Sequence, residues 1–233
     1  MSTSLPTVPK IIAFLDGSVN VNNASVFSKG SAGVAFVTTR VQDSIPMLDR
    51  IRVCTEYAEG YSSVTNSRME LTAFNILASA SVLFFNDGEK RIIPAWSDSE
   101  YALNILFNSK WGMKKNEDLI VMIKRALLEN SVTVVGRHVR GHQGYFFNEL
   151  VDYACSQTWK NGVAIDKDVP IGNIPLGCSL CKFFPCVNGN RANKKKWPDA
   201  FRLIKTRSWA VCERKSVYVD LQDSTQLIGP RCE

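Results

Sequence analysis

Three extended segments follow one another at the start of this chain: KIIAFLD at 10–16, GSAGVAFVTTR at 30–40 and IRVCTEYAEG at 51–60. Turn formers separate them and no helical periodicity intervenes. Strands joined without a crossover helix pair antiparallel, so residues 10–60 are expected to fold as a meander. Only then does the apolar period change. In TNSRMELTAFNILASASVLFF, 65–85, Met69, Ala73, Ile76, Leu77 and Ala80 fall on one helical face, with Asn66 or Ser67 as the cap. A fourth strand, 91–97, contains Pro94, which removes a ladder donor and predicts a bulged or irregular strand. Helices over 99–108, 117–130 and 147–160 and a strand over 131–139 complete the pattern. The Gly-, Pro- and Asp-containing stretch 161–177 reads as a linker.

The order βββ-α-β-α-α-β-α predicts an α/β fold. Its core would be a five-stranded mixed sheet, three antiparallel strands followed by parallel ones, with helices on both faces. Strand one would be central, antiparallel to strand two and parallel to strand four. A right-handed crossover then sets the carboxyl ends of strands one and four side by side. Both apolar runs end on an acid: IIAFLDGS at Asp16 and IIPAWSDS at Asp98. Open α/β sheets carry their sites at that edge. Glu70, near the start of the first helix, and Asp152, in the last helix ten residues after His142, aim at the same place. Four carboxylates in one cleft repel one another unless protons or cations sit among them. An all-oxygen set suits hard divalent ions, Mg²⁺ first and Mn²⁺ second. Two such ions ~3.5–4 Å apart make a clamp for in-line phosphodiester chemistry.

These residues bring the chain to a known family. LDGS, TNSRMEL, SDSEY and RGHQGYFFNELVDYA match four motifs in order and approximate spacing. The chain resembles type I ribonuclease H over about residues 8–160. The resemblance implies endonucleolytic, metal-dependent cutting of the RNA strand of an RNA–DNA hybrid, leaving 5′-phosphate and 3′-hydroxyl ends. Asp16, Glu70, Asp98 and Asp152 match the metal-binding acids, and His142 matches a loop histidine that helps the leaving group depart. Asp16 would be shared by both ions. Glu70 and Asp98 would hold the one that orients water, and Asp152 the other. Histidine is the residue type that titrates near neutrality, as proton donation to a departing oxygen requires. His138 is read as a strand residue without a catalytic part.

Substrate contacts follow from the same resemblance. Gly17, Ser18, Asn66 and Glu70 match positions that read the minor groove, where the 2′-OH separates RNA from DNA. Thr65 and Asn116 match a pocket for a DNA-strand phosphate. Glu100 stands where the family commonly has Gln. The loop from Asp16 to Gly33 is longer than usual, and the segment before His142 has no room for a basic handle helix. Two other readings of the same residues are a catalytically silent nucleic-acid-binding scaffold and a DNA-cleaving relative of the fold.

Composition adds the surroundings. The chain has 233 residues and a formal net charge of +6. Residues 161–233 hold 12 Lys+Arg against 7 Asp+Glu, so the basic excess lies in the tail. No apolar run approaches the ~18 residues of a transmembrane helix. MSTSLPTVPK lacks the layout of a secretory signal, so an intracellular protein is expected, cytoplasmic or in the nucleoid or nucleus, with reduced thiols. Cys54 and Cys155 are read as buried small hydrophobes. Cys178, Cys181, Cys186 and Cys212 could form a cysteine-only zinc set, C-x2-C-x4-C with a remote fourth ligand. The expected organisation is a catalytic domain, 1–160, a linker, 161–177, and a basic cysteine-containing extension, 178–233. That extension could hold structural zinc, contact nucleic acid through its interleaved basic and aromatic residues, or dock a protein. A monomer away from any membrane is the expected state.

Overall fold

The computed structural model describes residues 10–175 apart from 24, 43–44, 62, 86–90, 109–114 and 143–145. Cys178, Cys181, Cys186 and Cys212, and with them the expected zinc set and appendage, lie outside the described residues. Strands β1 (Lys10–Val19), β2 (Ser28–Gln42) and β3 (Ile45–Gly60) form the expected meander. Strands β4 (Arg91–Ser97) and β5 (Val132–His138) add in parallel on the other side of β1. A further strand, β6 (Asp166–Pro175), pairs antiparallel with β3. The sheet therefore has six strands in the order β5-β4-β1-β2-β3-β6, not the expected five.

The extra strand comes from the stretch read as a linker. Its prolines and glycine suggest a chain without a ladder, yet an edge strand tolerates both, because one of its two sides needs no partner. Side chains hold its start in register. Arg52 donates two hydrogen bonds to Asp166, at 3.0 and 2.8 Å, and Arg50 pairs with Asp168 at 3.2 Å. The amide of Ile165 donates to Thr55 Oγ1, which also meets Thr158 Oγ1 at 2.6 Å. Cys54 is only half-buried and lies against Asp166, whereas Cys155 is fully buried as expected.

Helices α1 (Asn66–Ala80), α2 (Glu100–Phe107), α3 (Glu117–Glu129) and α4 (Phe146–Asn161) cover the sheet. Helix α1 starts one residue before the expected caps: Thr65 Oγ1 accepts the Arg68 amide at 3.4 Å. It ends before 85, passing into a 3-10 turn at Ser81–Phe84. Pro94 causes no bulge, since the β4–β5 ladder runs without a register shift from Arg91↔Val132 to Ser97↔His138.

Period-two alternation along β1 divides the core. Ile11, Ala13 and Leu15 pack with Leu71, Phe74 and Leu77 of α1, Ala102 and Ile105 of α2, and Ile120 and Ile123 of α3. Phe14 points the other way, stacking on Trp96 at 5.5 Å and meeting Phe147 of α4 at 5.2 Å. Both faces of β1 are thus dry, which is why its sequence reads as a continuous apolar run. The run stops at Asp16 because there the strand leaves the core at the carboxyl edge of the sheet.

Candidate metal centre

Asp16 lies in the last half of β1, where its apolar run ends, and Asp98 just beyond β4, and the parallel pairing Leu15↔Ser97 sets the two next to each other. Glu70 reaches them from the second turn of α1. Gly17 makes this approach feasible: a Cβ there would collide with the backbone of Met69 and Glu70, so strand and helix touch main chain to main chain. The carboxylates of Asp16, Glu70 and Asp98 present ligand atoms all within 4.8 Å of one another.

The electrostatics follow from that crowding. Burial, and then the charges of Glu70, Asp98 and Asp152, push the Asp16 carboxyl well above the usual range. Glu70 is likewise pushed well up by burial and by Asp98, against a hydrogen bond from Asn66 Nδ2 at 3.3 Å. Asp98 is raised less: burial lifts it, while His142 and a hydrogen bond from the Asn148 side chain pull it down. Glu70 Oε2 is buried with no hydrogen-bond partner among the described residues. A buried anionic oxygen without a donor is costly. A divalent cation supplies what the protein does not, and an oxygen-only ligand set fits Mg²⁺ or Mn²⁺.

A second group sits beside the first. His142, Glu149 and Asp152 also present ligand atoms within 4.8 Å of one another. His142 Nδ1 lies 3.8 Å from Asp152 Oδ2; the imidazole is 70% exposed and the carboxylate 15%. The histidine is on the loop between β5 and α4 and has a left-handed backbone, φ 56°. Its neighbour Gly141 is pressed on the first cluster, where an added Cβ would stand 2.5 Å from Asp98 Oδ2. The loop thus bridges the two groups. Glu149 and Asn148 were not singled out from sequence. The available signal was helical spacing, since Glu149 and Asp152, at i and i+3, share a face of α4.

The remaining sequence-derived positions fall around this cleft. Ser18, two residues past Asp16, accepts a hydrogen bond from Trp159 Nε1 at 3.0 Å. Asn66 binds Glu70 through its side chain and takes Asn22 Oδ1 on its amide at 3.0 Å. Thr65 and Asn116 are connected through Arg68, whose amide meets Thr65 and whose guanidinium meets Asn116 Oδ1 at 3.3 Å and Asp118 at 2.7 Å. Asn116 also donates to the Tyr101 hydroxyl at 3.0 Å and has a left-handed backbone, φ 58°. Glu100 opens α2 and points at His138, Oε1 to Nε2 3.9 Å. His138 ends β5 and is absent from both carboxylate groups.

Comparison with known proteins agrees with this arrangement. The ribonuclease H family model matches residues 9–160. A ribonuclease H of Anaeromyxobacter dehalogenans (strain 2CP-1) is 33% identical over 175 residues, covering 66% of this chain and 82% of the relative. A ribonuclease H of Lachnoclostridium phytofermentans is 26% identical over 174 residues, covering 69% and 98%. The crystal structure of LC9-RNase H1, described as a type 1 RNase H with the type 2 active-site motif, shares the fold. It superposes with a TM-score of 0.53 at 21% identity, covering 71% of this chain and 80% of that one.

Proposed function

Because this chain belongs to the ribonuclease H family, we propose that it hydrolyses the RNA strand of RNA–DNA hybrids endonucleolytically, leaving 5′-phosphate and 3′-hydroxyl ends. The observation that carries the reading is the buried, mutually repelling set Asp16, Glu70 and Asp98, with one oxygen of Glu70 left without a donor. Protons or cations must relieve such a set, and Glu70 Oε2, buried without a donor among the described residues, offers a cation a ligand. Divalent cations, when bound, supply charge compensation for the scissile phosphate and an activated water. Asp16, Glu70 and Asp98 would hold one ion, and Asp152, with Asp16 shared, a second.

The chain's own groups do the rest. His142, exposed on its loop beside Asp152, delivers a proton to the departing 3′-oxygen. Gly141 packs against Asp98, so loop position and carboxylate position are coupled. Gly17, Ser18, Asn66 and Glu100 line the approach to the acids and contact the minor groove, where the 2′-OH is read. Thr65 and Asn116, joined by Arg68, take a DNA-strand phosphate.

Incubation with labelled hybrid, duplex DNA and duplex RNA in Mg²⁺ tests the reading. Cleavage confined to the RNA strand of the hybrid is expected. Binding without cutting would mark a silent scaffold, and cutting of duplex DNA a DNA-cleaving relative.

A further inference from the structure

The last turns of α4 touch the site edge in a way that the catalytic assignment does not use. Asp152, Cys155 and Trp159 share one helical face. That face lies along β1: Cys155 Sγ donates to the Asp16 carbonyl at 3.5 Å, and two residues further Trp159 Nε1 donates to Ser18 Oγ at 3.0 Å. Alternation along the strand puts Asp16 and Ser18 on the same face, so Ser18 is the next side chain outward from the buried acid. Lys160 follows, with its ammonium 5.3 Å from the centre of the Trp159 ring. It is exposed, and among the described residues no carboxylate pairs with it.

Hydrogen-bond chemistry gives this contact a direction. An indole N–H can only donate. Ser18 Oγ must therefore accept from Trp159, and the serine's own proton is turned away from the helix. Among the described residues no acceptor meets that proton. The hydroxyl thus keeps its proton available for a further acceptor, and the Lys160 ammonium lies over the ring of the same indole. A donor and a cation on one rim match the oxygens of a ribose and of a phosphate.

We propose that Trp159 is a positioning residue that fixes Ser18 as a hydrogen-bond donor to an RNA-strand oxygen, and that Lys160 contacts the neighbouring phosphate. The inference rests on the hybrid-cleaving reading above. It places part of the substrate grip on α4 itself.

The test is a double-mutant cycle on the full-length chain, with kcat and KM measured on one hybrid in Mg²⁺ for wild type, Trp159→Phe, Ser18→Ala and the pair. Trp159→Phe keeps an aromatic ring and deletes only the donor. Its KM should rise about threefold to tenfold, the range of one hydrogen bond, with the loss falling on KM rather than kcat. In the Ser18→Ala background the same change should add nothing. Lys160→Ala should lower the slope of log affinity against log salt by about 0.7–0.9. A Trp159→Phe effect equally large without the serine hydroxyl, or a KM unchanged in Ser18→Ala, overturns the proposal. Should Trp159→Phe lower the melting temperature, the cycle still decides, because a fold defect would raise KM as much in the Ser18→Ala background as in wild type. A wild type that cuts hybrid while these variants behave as wild type refutes this inference only; a wild type that neither binds nor cuts hybrid refutes both.

Discussion

Asp98→Asn should make the metal-free protein more stable while abolishing cleavage. The substitution keeps the shape of the side chain and an oxygen that can accept from Asn148, and removes one charge from the cluster. Ligand atoms of Asp16, Glu70 and Asp98 lie within 4.8 Å. Two unit charges at that separation repel by about 3.5 kcal/mol at an effective dielectric constant of about 20. Asp98 is partly exposed and the cluster sheds part of the repulsion by holding protons, so roughly 2 kcal/mol should remain. For a domain of this size that is about 4–8 °C in Tm.

The pH dependence has a definite sign. Asp16, Glu70 and Asp98 all have folded pKa values raised above their unfolded ones. Such groups bind more protons folded than unfolded, so their contribution is most favourable below the ordinary carboxylate range. It is lost as pH rises from about 4 through the raised values. The advantage of Asp98→Asn in chelator should therefore widen between about pH 5 and pH 8. Mg²⁺ should close the gap by stabilising wild type, about 1.4 kcal/mol at ten times its Kd. Thermal melts at both pH values, with chelator and with Mg²⁺, alongside a hybrid cleavage assay, measure all of this. A variant that melts lower than wild type at pH 8 in chelator, or that retains near-normal turnover in Mg²⁺, would refute the account of the cluster.

Four more outcomes are expected. His142→Ala should slow cleavage about 10²–10⁴-fold without abolishing it; an unchanged kcat on the hybrid would make the histidine a bystander. Gly17→Ala should cost both stability and cleavage, because its Cβ has no space against the α1 backbone, by about 1–3 kcal/mol on denaturant unfolding. A chain truncated after Lys160 should melt lower than one truncated after Pro175, because only the longer one keeps β6 and the ion pairs of Asp166 and Asp168. If the removed segment carries the expected four-thiolate site, metal analysis of the full chain should find about one zinc, lost in the Cys178→Ser, Cys181→Ser variant.

The strands that carry the acids were legible in the sequence because their signals are local. An apolar run buried on both faces must stop where the core stops: the run in β1 ends at Asp16, although the strand continues to Val19, and the run in β4 is followed by Asp98. The crossover rule then brings those ends together without further information. For Glu70 and Asp152 the sequence offers only their places in the first and last helices and the motif resemblance; no local signal turns them to the same edge. What only the tertiary structure decided is non-local. Asp166–Pro175 has no strand signal of its own; it becomes a strand because β3, more than a hundred residues earlier, offers an edge and Arg50 and Arg52 meet its acids. The burial of Glu149 depends on how α4 rotates against the sheet, which an ambiguous helical pattern leaves open. The Trp159–Ser18 bond spans 141 residues and exists because one helical face happens to lie along the outward end of β1. Periodicity reports which face of an element is dry. Only packing decides which two polar groups meet at its rim.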